Sequence, residues 1–358
     1  MSNEATASAQ RLGQSFWLDN ITRALLDDGT LQAYRDNDHV TGLTSNPTIF
    51  DHAISKSSAY DVALRDRGRV DPEELFFELA LEDLRRAAQL FAPVHERTQG
   101  VDGWVSLEVS PLLANDTART IEQAVTLHRR AAVPNLYIKV PGTAAGAGAI
   151  EELTYRGVPV NVTLLFSPEQ YQTAADAYLR GLERRRAEGK TLDVSSVASV
   201  FISRWDVKVA DQVPTEMHNQ IGLAVAAATY ARYRQLLDSP RQHSLMNAGA
   251  RPQRLLWAST GTKDPAASDV LYIEGLMAPL TIDTIPDENL RAFADHGHAA
   301  VRLTADDSAA RAVLERFAGR GLTVAKLAAE LQAEGAQKFD ASWKDLLTTV
   351  RQRAERAA

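Results

Sequence analysis

The 358-residue sequence contains no cysteine. Disulfides, thiolate nucleophiles and cysteine-ligated metals are therefore excluded. Long apolar runs are missing as well. The longest aliphatic stretch, 221–228, is far shorter than the roughly 20 residues that span a bilayer. Residues 1–13 are small and polar and lack the apolar centre of a secretion signal. Basic excess is also absent: 39 Lys and Arg stand against 46 Asp and Glu, for a net charge of −7. That balance argues against broad nucleic-acid binding, yet a few local cations suffice to hold a phosphorylated ligand. No internal repeat, low-complexity tract or linker divides the chain. The expectation is a cytoplasmic protein with neither nucleic-acid nor membrane partners.

What remains is ordinary globular composition, 45% hydrophobic and 24% charged, with ample material for a large core. Short strand-like segments alternate with longer helical ones. The candidate strands are 16–19, 40–46, 103–109, 135–140, 158–164, 196–202, 254–259 and 280–284. This order favours parallel α/β architecture, and eight strands match a closed (β/α)8 barrel, with a doubly wound open sheet as the competitor. The clearest helix spans 72–91, with Asp71 as N-cap, Pro72 at its first position and Leu75, Leu79 and Leu84 near helical spacing. Ser167-Pro168 opens another. The stretch 205–237 reads as one long helix, 238–252 as polar and irregular, and 323–353 as helical and partly amphipathic. The whole chain, 1–358, is expected to be one barrel domain. Its last part, roughly 300–358, forms a C-terminal helical extension that covers the barrel or meets a partner chain.

Side chains alternate between the two faces of a strand. In 104–109, Val105, Leu107 and Val109 share one face, and Ser106 and Glu108 the other. In 135–139, Leu136 and Ile138 oppose Tyr137 and Lys139. In 158–164, Val160, Val162 and Leu164 oppose Asn161 and Thr163. Asp19 ends the first strand beside Trp17, and Asn46 ends the second with Thr44 on its face. Several strands thus turn a charged or amide side chain inward near the C-terminal end, where the substrate loops of a barrel converge. Isolated charges are costly to bury, so such residues need partners or a task. The competing reading is an ordinary sheet whose polar face meets water.

Lys139 is the best nucleophile candidate. An amine attacks a ketone only when unprotonated, and a dry interior favours that form. The resulting iminium is an electron sink that permits cleavage of the adjacent carbon–carbon bond without a metal. Glu108 and Asp19 are the natural proton-transfer groups, one at the imine and one at the sugar hydroxyl that becomes a carbonyl. Asn46, Asn161 and Thr163 can orient hydroxyls.

At this level of detail the motifs resemble those of the transaldolase family. The matching segments are Trp17-Leu-Asp-Asn20, Thr41-Gly-Leu-Thr-Ser-Asn-Pro-Thr48, Val105-Ser-Leu-Glu-Val-Ser110, Asn135-Leu-Tyr-Ile-Lys-Val-Pro-Gly-Thr143, Gly157-Val-Pro-Val-Asn-Val-Thr-Leu-Leu-Phe-Ser167 and Ser199-Val-Phe-Ile-Ser-Arg-Trp-Asp206. Leu256-Trp-Ala-Ser-Thr-Gly-Thr-Lys263 followed by Asp269-Val-Leu-Tyr-Ile-Glu274 resembles the longer, bacterial-type branch. The likeness covers roughly 15–286.

The resemblance implies a (β/α)8 TIM-type barrel of the class I aldolase kind, with additional C-terminal helices and neither metal nor organic cofactor. It implies transfer of dihydroxyacetone from a ketose phosphate to an aldose phosphate in the pentose phosphate pathway. By position, Lys139 resembles the Schiff-base lysine, Asp19 the group that handles the C4 hydroxyl proton, and Glu108 the carboxylate that works with Thr163 through a water. Asn46 and Asn161 resemble the residues that bind the dihydroxyacetone hydroxyls. Ser199 and Phe201 resemble pocket residues, and Arg204 the main phosphate ligand, a role that suits its fixed fork of donors. One departure stands out. Shorter members place a second arginine near the seventh strand, where this sequence has Lys263, with Ser259 beside it. The expected partners are sugar-phosphate substrates, and the assembly a monomer or homodimer. The alternatives are an aldolase that releases free dihydroxyacetone and a non-catalytic barrel that binds sugar phosphates.

Other motifs carry less. Gly142-Thr-Ala-Ala-Gly-Ala-Gly148 follows a strand but lacks the last glycine of a dinucleotide fingerprint, so it reads as a helix start. His296-Gly-His298 has no carboxylate pattern to complete a metal set and reads as a solvated loop. Arg184-Arg-Arg186 reads as an exposed helix face. The five tryptophans (Trp17, Trp104, Trp205, Trp257 and Trp343) are core candidates, with Trp17 also considered as pocket wall.

Overall fold

Each of the eight expected strand segments forms a strand in the computed structural model, which describes residues 3–67 and 71–357. They are β1 (Gln14–Leu18), β2 (Val40–Leu43), β3 (Val105–Glu108), β4 (Leu136–Pro141), β5 (Val160–Leu165), β6 (Ser196–Phe201), β7 (Arg254–Ala258) and β8 (Thr281–Ile285). Neighbouring strands pair in parallel in the order β2-β1-β8-β7-β6-β5-β4-β3. The ends of that row meet. Gly42 bridges Trp104 in parallel, the Leu43 amide donates to the Trp104 carbonyl at 3.0 Å, and the Gly103 amide donates to the Thr41 carbonyl at 2.7 Å. The sheet is therefore a closed parallel barrel, the geometry that right-handed βαβ crossovers build. The open doubly wound sheet is ruled out.

The alternation read from the sequence is what separates two apolar layers. Val105, Leu107, Leu136, Ile138, Val140, Val160 and Val162 pack outward against the surrounding helices. Trp17, Trp104, Tyr137, Val197, Leu256 and Ile282 pack inside the barrel. Within that inner layer the Trp104 and Tyr137 rings stack with centroids 4.1 Å apart, and Trp17 stacks on Tyr137 at 6.2 Å. The barrel is thus filled across its middle, and its two ends are separate environments.

Caps set several helix starts. Asp71 accepts from the amides of Glu73 and Glu74, Ser167 from Gln170, and Thr143 from Gly146. The Gly-rich segment after β4 is therefore a helix start, as its sequence suggested. The helix expected over 72–91 runs further, to Arg97, and tolerates Pro93 inside it.

Some expectations are corrected. The stretch 205–237 is not one helix. It breaks into Ser203–Val209, two short 3-10 turns and Ile221–Leu237, because Pro214 supplies no amide donor and Asn219 takes a left-handed backbone at φ 59°. The segment 238–252 is not wholly irregular, since Pro240–Met246 is helical with Ser239 as its cap. Leu164 does not join Val160 and Val162. The β5–β6 register shifts between Val162 and Leu165, Leu164 adopts φ 60°, and its side chain turns into the inner layer while Leu165 faces out. Arg184 pairs with Glu151 and Glu152 on the surface, but Arg185 is buried and donates to the backbone carbonyls of Thr191 and Tyr155.

The helix Val324–Ala357 crosses the C-terminal mouth of the barrel. Its length is about 50 Å at the standard rise per residue. It packs on the helices Pro47–Lys56, Asp61–Arg67 and Pro72–Arg97. Trp343 anchors it, fully buried with its ring edge-on to Phe76 at 5.1 Å. Gln332 ties it to the strand ends, donating from Nε2 to the carbonyls of Gly142 at 3.1 Å and Leu164 at 2.9 Å.

Candidate active site

Strand register alone assembles the centre of the site. Glu108 on β3 is opposite Lys139 on β4, and Lys139 is opposite Asn161 on β5. All three point inward at one level, just above the aromatic layer. The Lys139 Nζ is 3.6 Å from Glu108 Oε2 and donates to the Ser45 carbonyl at 3.2 Å. Both side chains are buried, each 6% exposed. An ion pair this dry is costly to form, and loss of either partner leaves an uncompensated charge.

Burial shifts both carboxyls toward their neutral forms, against the field of the nearby cations. Burial raises the Glu108 carboxyl above its ordinary range, against the opposing charge of Lys139. Burial likewise raises Asp19, opposed by Lys139 and by a hydrogen bond from the Thr44 hydroxyl at 2.8 Å. Thr44 in turn shares a 2.6 Å hydrogen bond with Thr284. A carboxyl raised above its usual range by burial is a candidate for proton transfer.

Asn161 is held at both ends of its amide. It donates to Ser106 Oγ at 3.2 Å, and its Oδ1 accepts from Ser199 Oγ at 2.7 Å. Thr163 lies two residues further along β5, fully buried, and among the described residues neither its hydroxyl nor Glu108 Oε2 has a hydrogen-bond partner. Asn46 is placed differently from its expectation. β2 ends at Leu43, and Asn46 is the N-cap of the helix Pro47–Lys56, its side chain accepting from the Ile49 amide at 3.0 Å. It still reaches the same cavity, because the cap stands at the barrel mouth.

That cavity has a volume of about 240 Å³. Asp19, Asn46, Lys139, Ser199, Phe201, Arg204, Ser259 and Lys263 line it. Glu108, Asn161 and Thr163 are the layer beneath, reached through Lys139 and Ser199. At the outer end, the Arg204 guanidinium lies over the rings of Phe201 at 4.9 Å and Phe339 at 5.8 Å. Among the described residues it makes no hydrogen bond or ion pair, and burial lowers its affinity for its proton. A desolvated, unpaired guanidinium is a ready ligand for an anion. Lys263 stands exposed at the same rim. Ser259 holds a left-handed backbone at φ 57° and its hydroxyl is 2.9 Å from that of Ser203. Trp17 does not line the cavity; it belongs to the layer below.

Sequence reasoning left several lining residues without a role. Thr284 follows the inward alternation of β8 and could have been found from it. His52 sits one turn into the helix that Asn46 caps. Phe339 had no signal near the motifs, since it comes from the C-terminal helix. No group of three or more His, Cys, Asp or Glu among the described residues could hold a metal ion. No helix among them is long and apolar enough to cross a membrane.

Comparison with known proteins gives a consistent picture. Residues 16–350 match the family model described as Transaldolase/Fructose-6-phosphate aldolase. The chain is 42% identical to a protein named Transaldolase from Thiobacillus denitrificans, over 96% of this chain and 99% of that one. It is 40% identical to the Transaldolase of Mycobacterium tuberculosis, over 99% of both chains, and 43% identical to that of Thermobifida fusca, over 95% of both.

Proposed function

Because this chain belongs to the transaldolase/fructose-6-phosphate aldolase family, we propose that its cavity carries out transaldolase chemistry through a Schiff base on Lys139. A dihydroxyacetone unit is moved from a ketose phosphate, sedoheptulose 7-phosphate or fructose 6-phosphate, to an aldose phosphate, glyceraldehyde 3-phosphate or erythrose 4-phosphate. The observation that carries this reading is one buried amine, 3.6 Å from one carboxylate and in the same cavity as a second.

The neutral Lys139 amine attacks C2 of the ketose. Glu108, with Thr163 and a water between them, supplies the proton that lets hydroxide leave as water, and an iminium remains. Asp19 then takes the C4 hydroxyl proton. The C3–C4 electron pair moves into the iminium, an aldose phosphate departs, and an enamine stays on Lys139. The enamine carbon attacks the aldehyde of the acceptor, and Asp19 returns its proton to the new alkoxide. Water adds to the iminium and releases the product and the free amine. Asn46 and Asn161 hold the dihydroxyacetone hydroxyls, Ser199 fixes Asn161, and Phe201 walls the path. Arg204, Lys263 and Ser259 hold the phosphate, which places the reacting carbons over Lys139.

All of these side chains come from one chain, so a monomer or a homodimer can run the reaction on the sugar phosphates of the cytoplasm. Borohydride reduction in the presence of fructose 6-phosphate is expected to leave a dihydroxyacetone adduct on the peptide that contains Lys139. Lys139→Ala is expected to abolish both adduct and transfer. Full transfer activity in that variant ends the proposal. Release of free dihydroxyacetone without an aldehyde acceptor, measured in the same assay, separates transfer from simple cleavage.

A further inference from the structure

The barrel holds a second cavity at the end opposite Lys139. Gln14, Ser196 and Arg254, which begin β1, β6 and β7, lie on its wall, and Tyr137 forms part of its inner end. Its volume is about 560 Å³, larger than the catalytic cavity and within the range of small-molecule sites. The stacked layer of Trp17, Trp104 and Tyr137 separates the two. Nothing in the chemistry proposed above uses this space.

Its mouth is apolar. Val101, Met246 and Leu280 line the cavity while remaining 49%, 43% and 50% exposed. Leu280 is also held in a left-handed backbone at φ 65°. Its amide donates to the Gly13 carbonyl at 2.8 Å, and its own carbonyl accepts from the Tyr233 hydroxyl at 3.0 Å. A bulky residue rarely adopts that conformation, and here it keeps an isobutyl group at the opening.

The charge of the wall is positive, three arginines against Asp102 and Asp238. Two of the arginines are committed. Arg254 binds Asp102, the Val101 and Thr281 carbonyls and the Ser15 hydroxyl, and Arg251 pairs with Asp193. Arg234 is different. It donates only a long 3.4 Å bond to the Tyr230 hydroxyl and forms no ion pair among the described residues. An apolar-walled cavity with one uncommitted guanidinium suits a ligand that is apolar over most of its surface and anionic at one end.

We propose that this lower cavity is a binding site for a small amphipathic organic anion. Its aromatic or branched aliphatic body packs against Tyr137, Val101, Met246 and Leu280, and its carboxylate or sulfonate meets Arg234. The site is independent of the Lys139 chemistry and stands or falls apart from it.

The probe is 1-anilinonaphthalene-8-sulfonate, titrated into the native full-length enzyme. Saturable binding of one dye per chain is expected, with energy transfer from Trp17 and Trp104, and saturating fructose 6-phosphate leaves it unchanged. Met246→Glu and Arg234→Gln should each weaken the dye by about tenfold or more, with transfer activity at the parent level as proof of folding. Val101→Glu takes the place of either variant if it does not fold. Absence of saturable binding, displacement of the dye by fructose 6-phosphate, or parental affinity in either variant overturns the proposal.

Discussion

Glu108 shows how much one side chain is asked to do in the proposed reaction. It neutralises Lys139 at 3.6 Å, yet burial holds its carboxyl above the ordinary range, so it can give a proton as well as hold one. Glutamine keeps its shape and loses the proton. Glu108→Gln is therefore expected to lower kcat by about 10²-fold or more, the usual weight of a positioned acid–base group, with slower borohydride trapping and little change in KM. Activity within twofold of the parent would remove Glu108 from the mechanism. Asp283 is the contrasting case, a buried acid with no part in the chemistry. It lies on β8 between inward-facing Ile282 and Thr284, so its own side chain points away from the barrel interior. Among the described residues neither of its oxygens has a well-formed hydrogen bond, because the nearby Thr260 hydroxyl is directed to the Thr284 carbonyl. Burial raises its pKa from 3.8 to about 8. The sign follows: the native state keeps a proton that the unfolded chain releases, so this contribution is complete below pH 3.8 and is lost as pH rises toward 8. The slope is about 1.4 kcal/mol per pH unit. An asparagine in its place cannot ionise, so Asp283→Asn should gain stability over the parent between pH 6 and pH 8 in urea titrations. Equal pH slopes for the two proteins would contradict this account.

At the scale of elements, the C-terminal helix completes the outer end of the site. Gly335 and Phe339 are one turn apart on it. A Cβ added at Gly335 would stand 3.0 Å from Leu164 Cδ2 and 3.3 Å from an Arg204 Nη atom, so the absent side chain lets the helix approach. Phe339 then lies beside Phe201, ring centroids 6.5 Å apart, and the guanidinium sits over both rings. A cation–π contact of this kind is worth about 0.5–2 kcal/mol. Phe339→Ala is thus predicted to raise KM for fructose 6-phosphate by roughly 2- to 30-fold while kcat changes much less. Any turnover of unphosphorylated fructose, assayed alongside, should be left alone. An equal loss for both sugars would mean that Phe339 supports the fold and not Arg204. The same elements mark where the sequence was legible. Period-two alternation revealed the inward faces of β3, β4 and β5, because one face had to meet helices and the other could not. Lys139, Glu108, Asn161 and Thr163 followed from that pattern. Leu164 broke it, since a bulge depends on the neighbouring strand, and Phe339 escaped it, since its contacts come from a helix far along the chain. The break within 205–237 was readable from Pro214, which the apolar composition of the stretch outweighed.

For the molecule as a whole, closure of the barrel decides everything else, and it rests on the narrow seam between β2 and β3. Those strands share few hydrogen bonds, from Leu43 to Trp104 and from Gly103 to Thr41. Gly42 lies at the centre of the seam, between the Trp104 backbone and the Trp17 indole. A Cβ there would come within 2.6 Å of the Trp104 carbonyl oxygen and 2.9 Å of the indole. Backbone on one side and a packed aromatic layer on the other leave no flexible atom to yield. Gly42→Ala should therefore push β3 outward, at an overpacking cost of about 1–3 kcal/mol, and lower the urea midpoint. Activity should fall with it. Ser45, whose carbonyl accepts from Lys139 at 3.2 Å, follows three residues later, and Lys139's partner Glu108 is carried by β3 itself. The coupling distinguishes this variant from the others: Asp283→Asn moves stability with no change in kcat, and Phe339→Ala, although it also removes buried area, acts on KM more than on kcat. A Gly42→Ala protein with parental midpoint and parental kcat would show that the seam tolerates a side chain and that closure is held elsewhere.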